Sequence, residues 1–226
     1  MVTSILQPAF APNLYDLACI LQSDRVVLDD LNRWSRKYRV HRALIRTPES
    51  TQYVSVPVVK EDKKKAIYKV RIDHSTDWIQ DFLKSLEYNY RNSIYYDYYE
   101  HEMAADVKEA GNFEFLADAA LFLRGRLFTY LELDLHQKEE RLSEICADCE
   151  SVEEFIAREN ISVIFQDHDS RHYQKQLPQK REPEFEHPVY RQHFPGFVPW
   201  CSLYDLLFQY GPESFRIIDQ LKSEKS

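Results

Sequence analysis

Glycine is nearly absent from this chain: 226 residues hold four, Gly111, Gly125, Gly196 and Gly211. A phosphate-cradling loop of the Walker or dinucleotide type needs several glycines in a short span, so both signatures are excluded. Long apolar runs are missing as well. No stretch approaches the eighteen or so residues of a spanning helix, and the opening MVTSILQPAF has neither the charged region nor the apolar stretch of a secretory signal, which predicts a cytoplasmic protein without membrane insertion. Excess positive charge is lacking too. Lys and Arg number 29 against 37 Asp and Glu, and a net charge of −8 argues against nucleic acid as a partner.

Cysteine is sparse, with Cys19, Cys146, Cys149 and Cys201 at irregular spacing. That pattern is not a secreted disulfide framework, and reduced thiols are expected. Cys146-Ala-Asp-Cys149 is a C-x-x-C without a second ligand pair, a weak zinc or redox signal that reads as incidental. Gln166-Asp-His-Asp-Ser-Arg-His172 offers metal-capable side chains in a solvated run. The sequence assigns no metal and names no cofactor.

What is present reads as a single α/β domain over residues 1–226. Val2 to Leu6 is a short β-rich run, Pro8 and Pro12 interrupt it, and Leu14 to Leu21 is apolar at helical spacing. Arg25 to Leu28 then predicts a buried strand ending in Asp29-Asp30. This is a βαβ start with polar residues after both strands, where open α/β sheets place ligands. Arg39 to Arg46 and Gln52 to Val59 predict a hairpin, and Ile67 to Ile72 a further strand extending a mixed sheet. The run Lys60 to Lys65 is a solvated turn.

From Ser75 the pattern turns helical, with Trp78, Phe82, Leu86 and Tyr90 on one stripe. Tyr88 to Tyr99 holds six tyrosines, a composition suited to core packing or to stacking on sugar rings. Phe113 to Leu133, Glu139 to Cys146 and Val152 to Arg158 predict a mostly helical middle, followed by a strand at Ile161 to Phe165. Gln166 to His187 reads as a long surface loop. Ser202-Leu-Tyr-Asp205 has capping-box form, and Pro212 opens a last helix with Phe215, Ile218 and Leu221 inward. The end of the chain is thus a loop-plus-helices segment on the same core.

Two segments concentrate site-like chemistry. From Asp29 to Arg42 run paired carboxylates, arginines, Trp34 and His41, a mixture suited to an anionic, ring-containing ligand: carboxylates share protons, arginines fork onto phosphate, and histidine titrates near neutrality. A salt-bridged surface loop has the same composition. His187-Pro-Val-Tyr190 to Pro199 is a proline-punctuated loop in which His187 and Tyr190 are candidate acid and base, unless its rings simply cover the core.

Taken together, Gln7-Pro8 with Pro12 and Tyr15, Asp24 before the strand ending Asp29-Asp30, His41-Arg42, Val56-Pro57-Val58, His187-Pro-Val-Tyr190 and Ser202 to Phe208 with Gly211 resemble the WbqC-like family of bacterial proteins. The chain departs from the family pattern at residues 147–152, where a Gly-rich segment is usual, and at Asn32, where Gln is usual. The resemblance implies a transferase of surface-polysaccharide (O-antigen) biosynthesis acting on a sugar or nucleotide-sugar, with amino-acyl or glycyl transfer one form. The expected catalytic residues are Asp29, Asp30, His41, His187 and Tyr190. Gln7, Pro8, Trp34, Arg36, Arg42 and Gln192 are expected to bind substrate. Two alternatives stand beside this: a nucleotidyltransferase-like enzyme, from the strand, Gln7-to-Pro12 turn and helix that open the chain, and a non-catalytic carbohydrate-binding or scaffold protein using the tyrosine-rich segment.

Overall fold

The computed structural model describes residues 1–136, 138–168 and 177–222. Its centre is a parallel sheet. Strand β1 (Val2–Leu6) leads through α1 (Leu14–Leu21) to β2 (Arg25–Leu28), which pairs in parallel with it from Thr3 opposite Arg25 to Leu6 opposite Leu28. The predicted βαβ start is therefore present. Asn13 caps α1 by accepting from the Asp16 amide while the Asp16 carboxylate accepts from the Asn13 amide, a reciprocal pair worth ~1 kcal/mol.

The chain then leaves the sheet. A hairpin of β3 (Arg42–Arg46) and β4 (Thr51–Ser55) pairs antiparallel as a separate two-stranded sheet. Ile67 to Ile72 does not extend either sheet: Ile67–Lys69 is a 3-10 turn whose Ile67 and Tyr68 amides donate to the Asn32 and Asp30 carbonyls, and the segment's β-pairing among the described residues is confined to isolated bridges, Val58 to Ile72 and Arg71 to Phe115. Three helices follow, α2 (Trp78–Tyr90), α3 (Tyr96–Ala110) and α4 (Leu116–Tyr130). The α2 stripe is buried as its four-residue spacing requires, with Trp78, Phe82, Leu86 and Tyr90 all inside.

The sheet resumes with β5 (Glu139–Arg141), which runs straight into the short helix α5 (Leu142–Ile145). Helical spacing alone predicts a helix from Glu139. The first three residues are instead an edge strand parallel to β2, because Arg124 of α4, fully buried, forks onto Glu139 with Nη2 at 2.6 Å and pins it beside the sheet. Helix α6 (Val152–Glu159), β6 (Val163–Gln166), β7 (Lys180–Arg181), α7 (Leu203–Tyr210) and α8 (Phe215–Ile218) complete the order.

The strand order is β5-β2-β1-β6-β7, parallel throughout. Side-chain alternation splits the sheet between two cores. Leu6, Val26 and Leu28 face α1, α4 and α7, whereas Ile5, Val27 and Ile164 face Leu142 of α5 and Val152, Phe155 and Ile156 of α6. Each fully buried Leu, Ile or Val contributes ~1.5–3 kcal/mol, so covering both faces is what makes short parallel strands stable.

Three local expectations fail. Ser202 precedes α7, yet its hydroxyl caps nothing: the Asp205 amide donates to the Ser202 carbonyl at 3.0 Å instead, and the Asp205 carboxylate is drawn inward to other donors. Phe215 is exposed while Ile218 and Leu221 are buried, and Ile217 rather than Phe215 joins them on the inward face. Cys146 and Cys149, expected as thiols, are joined in a disulfide, whereas Cys19 and Cys201 are free and buried. Among the described residues no helix is long and apolar enough to cross a membrane.

Candidate functional site

Strand order fixes where a site can form. β1 has β2 on one side and β6 on the other, so connections diverge at its carboxyl end and open a crevice position there. Ile5 lies opposite Gln166 and Leu6 opposite Leu28, which sets the residues just beyond the strands, Gln7, Asp29-Asp30 and Asp167, in one row. Backbone ties hold that row: the Asp29 amide donates to the Leu6 carbonyl at 2.8 Å, and the Gln7 amide donates to Asp167 Oδ2 at 3.1 Å.

Across the row lies Arg39, carried by the loop between β2 and β3. Its guanidinium donates to both oxygens of Asp16, with Nη2 at 2.7 Å from Oδ1, and also to Asp167 Oδ1, while its backbone amide donates to Gln7 Oε1 at 3.3 Å. One cation thus serves two buried carboxylates, and within that trio the two acids outnumber it. The carboxylates resolve the imbalance differently. Burial opposes ionisation of Asp16, but the charge and fork of Arg39 and the Asn13 amide prevail and lower its pKa. Asp167 is pushed up to about 6, by burial first and by the Asp16 charge, with Arg39 only partly offsetting them. Tyr38, pushed up to about 12 by burial and then by Asp29 and Asp167, places its phenol in the field of both.

Unsatisfied polar atoms gather on the same segments. Gln7 Nε2, Trp34 Nε1 and His41 Nδ1 are buried and have no partner among the described residues. A ligand supplying acceptors would answer two of these outright, since the first two only donate. Trp34 and His41 pack on each other with ring centres 4.9 Å apart, and His41 is pushed down to about 4 by burial and by Arg42, so it is neutral near pH 7.

The other sequence-predicted residues go elsewhere. Asp30 spends both oxygens on Arg141 Nε at 3.0 Å and on the Ser143 amide and hydroxyl at 2.9 and 2.7 Å, clamping β2 to the start of α5. Pro8 is buried in the turn after β1, whose Ala9 carbonyl accepts from Arg124. Arg36 is exposed, and Arg42 lies over the Tyr53 ring at 3.9 Å and donates to the Lys37 carbonyl. His187 accepts from the Trp200 amide through Nε2, which makes Nδ1 the protonated nitrogen that donates to the Pro188 carbonyl at 3.0 Å. Tyr190 and Gln192 both donate to Asp205 Oδ2 at 2.9 Å, and Gln192 also closes its own loop onto Val198.

The proline-punctuated loop reaches the row through Trp200 rather than through its histidine or tyrosine. Trp200 adopts φ 72°, a strained left-handed conformation for an aromatic residue, and stacks on His168 at 4.1 Å. His168 directly follows Asp167, and Tyr15, which also contacts both rings, directly precedes Asp16. His168 is exposed and the Arg39 side chain is 16% exposed, so solvent meets the array along this aromatic edge.

Sequence pattern alone does not single out Asp16, Arg39 or Asp167. A usable signal existed for Asp167, which follows a predicted strand just as Asp29 does. The metal-capable run Gln166 to His172 is described only as far as His168, and the rest lies outside the described residues.

Among the described clefts, one of about 590 Å³ lies along α2 between Gln52, Lys84, Tyr88 and Arg91, and another of about 310 Å³ sits at Tyr190 to Phe197. Neither includes the carboxylate array. The sheet-end row is the stronger candidate because it combines the topological switch point, charge imbalance and unsatisfied donors.

The model of the WbqC-like protein family matches residues 7–217. The chain belongs to the WbqC-like family. Comparison with curated proteins and with solved structures returned no match. The family match begins at Gln7, the first residue of the row, and spans every member of the array.

Proposed function

We propose that this WbqC-like protein is a transferase of surface-polysaccharide (O-antigen) assembly, moving an acyl group such as an amino-acyl or glycyl unit onto a sugar or nucleotide-sugar. The observation that carries the reading is Asp167: a buried carboxylate at the switch point, tied to Gln7 and Arg39 and held half-neutral near pH 6. Such a group is mostly ionised at pH 7 yet more basic than an ordinary carboxylate, as a general base needs.

In this mechanism a sugar hydroxyl or amine gives its proton to Asp167 as it attacks the acyl carbon. The bond to the leaving group then breaks, and the proton passes from Asp167 to that group. Arg39 holds Asp167 in place and, by pairing with Asp16, keeps the second carboxylate ionised. Gln7 Nε2 and Trp34 Nε1 donate to ligand oxygens, neutral His41 adds a further polar contact, and Asp29 accepts from sugar hydroxyls. Arg36, exposed on the same loop, meets the anionic part of a nucleotide-sugar. Asp30, His187, Tyr190 and Gln192 support the surrounding structure in this reading, because their polar atoms are engaged as described above, and Arg42 does so through the Tyr53 ring and the Lys37 carbonyl, although its Nε has no partner among the described residues.

A non-catalytic carbohydrate-binding surface has one observation in its favour. Tyr88 and Tyr98 are 78% and 72% exposed, and Tyr88 lines the cleft along α2. A thermal-shift screen of nucleotide-sugars, acyl-CoA, ATP with Mg²⁺, amino acids and free sugars separates the two, since a ligand at one hundred times its Kd stabilises by ~2.7 kcal/mol. Nucleotide-sugars should raise Tm in the wild type and lose that effect in Gln7→Ala. Loss of the response in Tyr88→Ala, with Gln7→Ala unaffected, would transfer the site to α2.

A further inference from the structure

The motif left unused by the sheet-end site is Cys146-Ala-Asp-Cys149. It lies on the other core of the sheet, beside Leu142 and Val152, and its two sulfurs are bonded to each other. A disulfide that staples a fold joins distant segments, because the chain entropy it removes grows with the loop it closes. This one spans a sequence separation of three and ties the end of α5 only to the turn that follows. Its contribution to stability is therefore among the smallest a disulfide can make. A short pair of this kind is suited to opening and closing.

The surroundings of the two sulfurs differ. Arg158, reaching from α6, places Nη1 3.6 Å from Cys146 Sγ, and the same guanidinium binds Asp148 at 2.8 Å and Glu154. Asp148 Oδ1 stands 3.7 Å from Cys146 Sγ and opposes negative charge there, so the preference Arg158 confers is modest rather than large. Among the described residues no cation is placed this way beside Cys149. Both cysteines are buried, at 8% and 6% exposure, but their neighbours Ala147, Asp148 and Glu150 are on the surface, so the pair lies just beneath it.

We propose that Cys146 and Cys149 form a thiol–disulfide exchange centre served by a dithiol reductant, with Cys146 as the leaving sulfur and Arg158 the group that holds its thiolate. A thiolate of the reductant attacks Cys149 Sγ. The new S–S bond forms as the Cys146–Cys149 bond breaks, and the electron pair departs on Cys146 beside Arg158. The reductant's second thiol, deprotonated, then attacks its own sulfur in the mixed disulfide and releases Cys149. Two electrons pass to the protein and the reductant ends as a disulfide; of the two protons it loses, one is taken up by Cys149 and the other goes to solvent while Cys146 stays a thiolate.

The test uses the full chain equilibrated in a series of reduced and oxidised dithiothreitol, alkylated, and read by mass spectrometry on the peptide carrying both cysteines. A reversible two-electron transition is expected. In Arg158→Gln the ratio of dithiol to disulfide should fall about tenfold in the same buffer, a potential ~30 mV more negative. In the reduced wild type, Cys146 should react with iodoacetamide faster than Cys149 at neutral pH, a readout that does not depend on the variant folding. A pair that stays closed in excess dithiothreitol in the native protein, or that never closes in its oxidised form, or that is isolated reduced with equimolar zinc, overturns the proposal. Equal alkylation rates together with an unchanged Arg158→Gln ratio overturn the assignment of Cys146.

Discussion

Two buried carboxylates in this chain, Asp167 and Asp205, both have raised pKa values, and they could hardly be used more differently. Asp205 of α7 receives Tyr90 and Tyr190 hydroxyls and the Gln192 amide, each at 2.9 Å, so three neutral donors from α2 and the late loop converge on one fully buried group. Tyr90 also accepts from the Arg46 amide, which ties the β3–β4 hairpin into the same knot. Asp167 receives one backbone amide and a cation it shares with Asp16, and it borders an exposed histidine and Gln7, whose Nε2 is unanswered among the described residues. Desolvation raises both. A shifted pKa thus marks burial in each case, and only the partners distinguish a structural hub from a group placed to exchange a proton.

The comparison breaks most visibly through rate. Asp167→Asn keeps the acceptor for the Gln7 amide and removes the base, so turnover of the proposed acyl transfer should fall ~10²- to 10⁴-fold in a steady-state assay with Tm held or raised. Full activity in that variant would remove Asp167 from the chemistry. On the structural side, Asp30→Ala leaves the Arg141 guanidinium half-buried without its main partner and should cost ~3 kcal/mol by urea denaturation, the low end for a broken buried pair because Asp118 still binds Arg141 at 2.6 Å. A cost near zero would show that the β2–α5 clamp is not under load.

A smaller effect follows from linkage. Unfolded Asp167 loses its proton near 3.8 and the folded group near 6, so between these values the native state binds more protons and this residue's contribution to stability falls as pH rises, by ~3 kcal/mol in full and ~2 kcal/mol of it between pH 4 and 7. His41, folded near 4 and unfolded near 6.5, gives the opposite slope over an overlapping window, so the quantity to measure is the difference between wild type and Asp167→Asn across pH 4 to 7. The variant should gain stability relative to wild type as pH rises, and a flat difference would contradict the raised value. Smallest is Tyr190→Phe, which deprives Asp205 of one of three donors and should cost ~1–2 kcal/mol without altering ligand response. Loss of ligand binding in that variant would return Tyr190 to the site.

How far the sequence speaks differs along the chain in the same way. β1, α1, β2, the hairpin and α2 follow from alternation and four-residue spacing, because their burial is decided by neighbours a few residues away. Glu139–Arg141 was unreadable as a strand because its reason for being one is Arg124 on another helix and β2 far earlier in the chain. The site divides likewise. Gln7 and Asp29 stand at strand ends that local pattern reveals, whereas Asp16 reads as an ordinary capping residue until Arg39 is seen to bridge it to Asp167. Asp167 sits in a polar run that reads as surface loop, since nothing local states that β6 lies beside β1. Asp30 and Tyr190 looked catalytic by type, and only their partners show them saturated.

The three tryptophans offer the most direct test of the central claim that ligand is received at the carboxyl ends of β1, β2 and β6. Trp200 stacks on His168 beside Asp167 and Trp34 lies on the same β2–β3 loop as Arg39, whereas Trp78 begins α2 and is buried in its stripe. In an ¹H–¹⁵N spectrum titrated with nucleotide-sugars, the Trp34 indole signal should shift most, Trp200 less and Trp78 not at all. A titration that moves Trp78 alone, or that saturates with Trp34 unmoved, would contradict it.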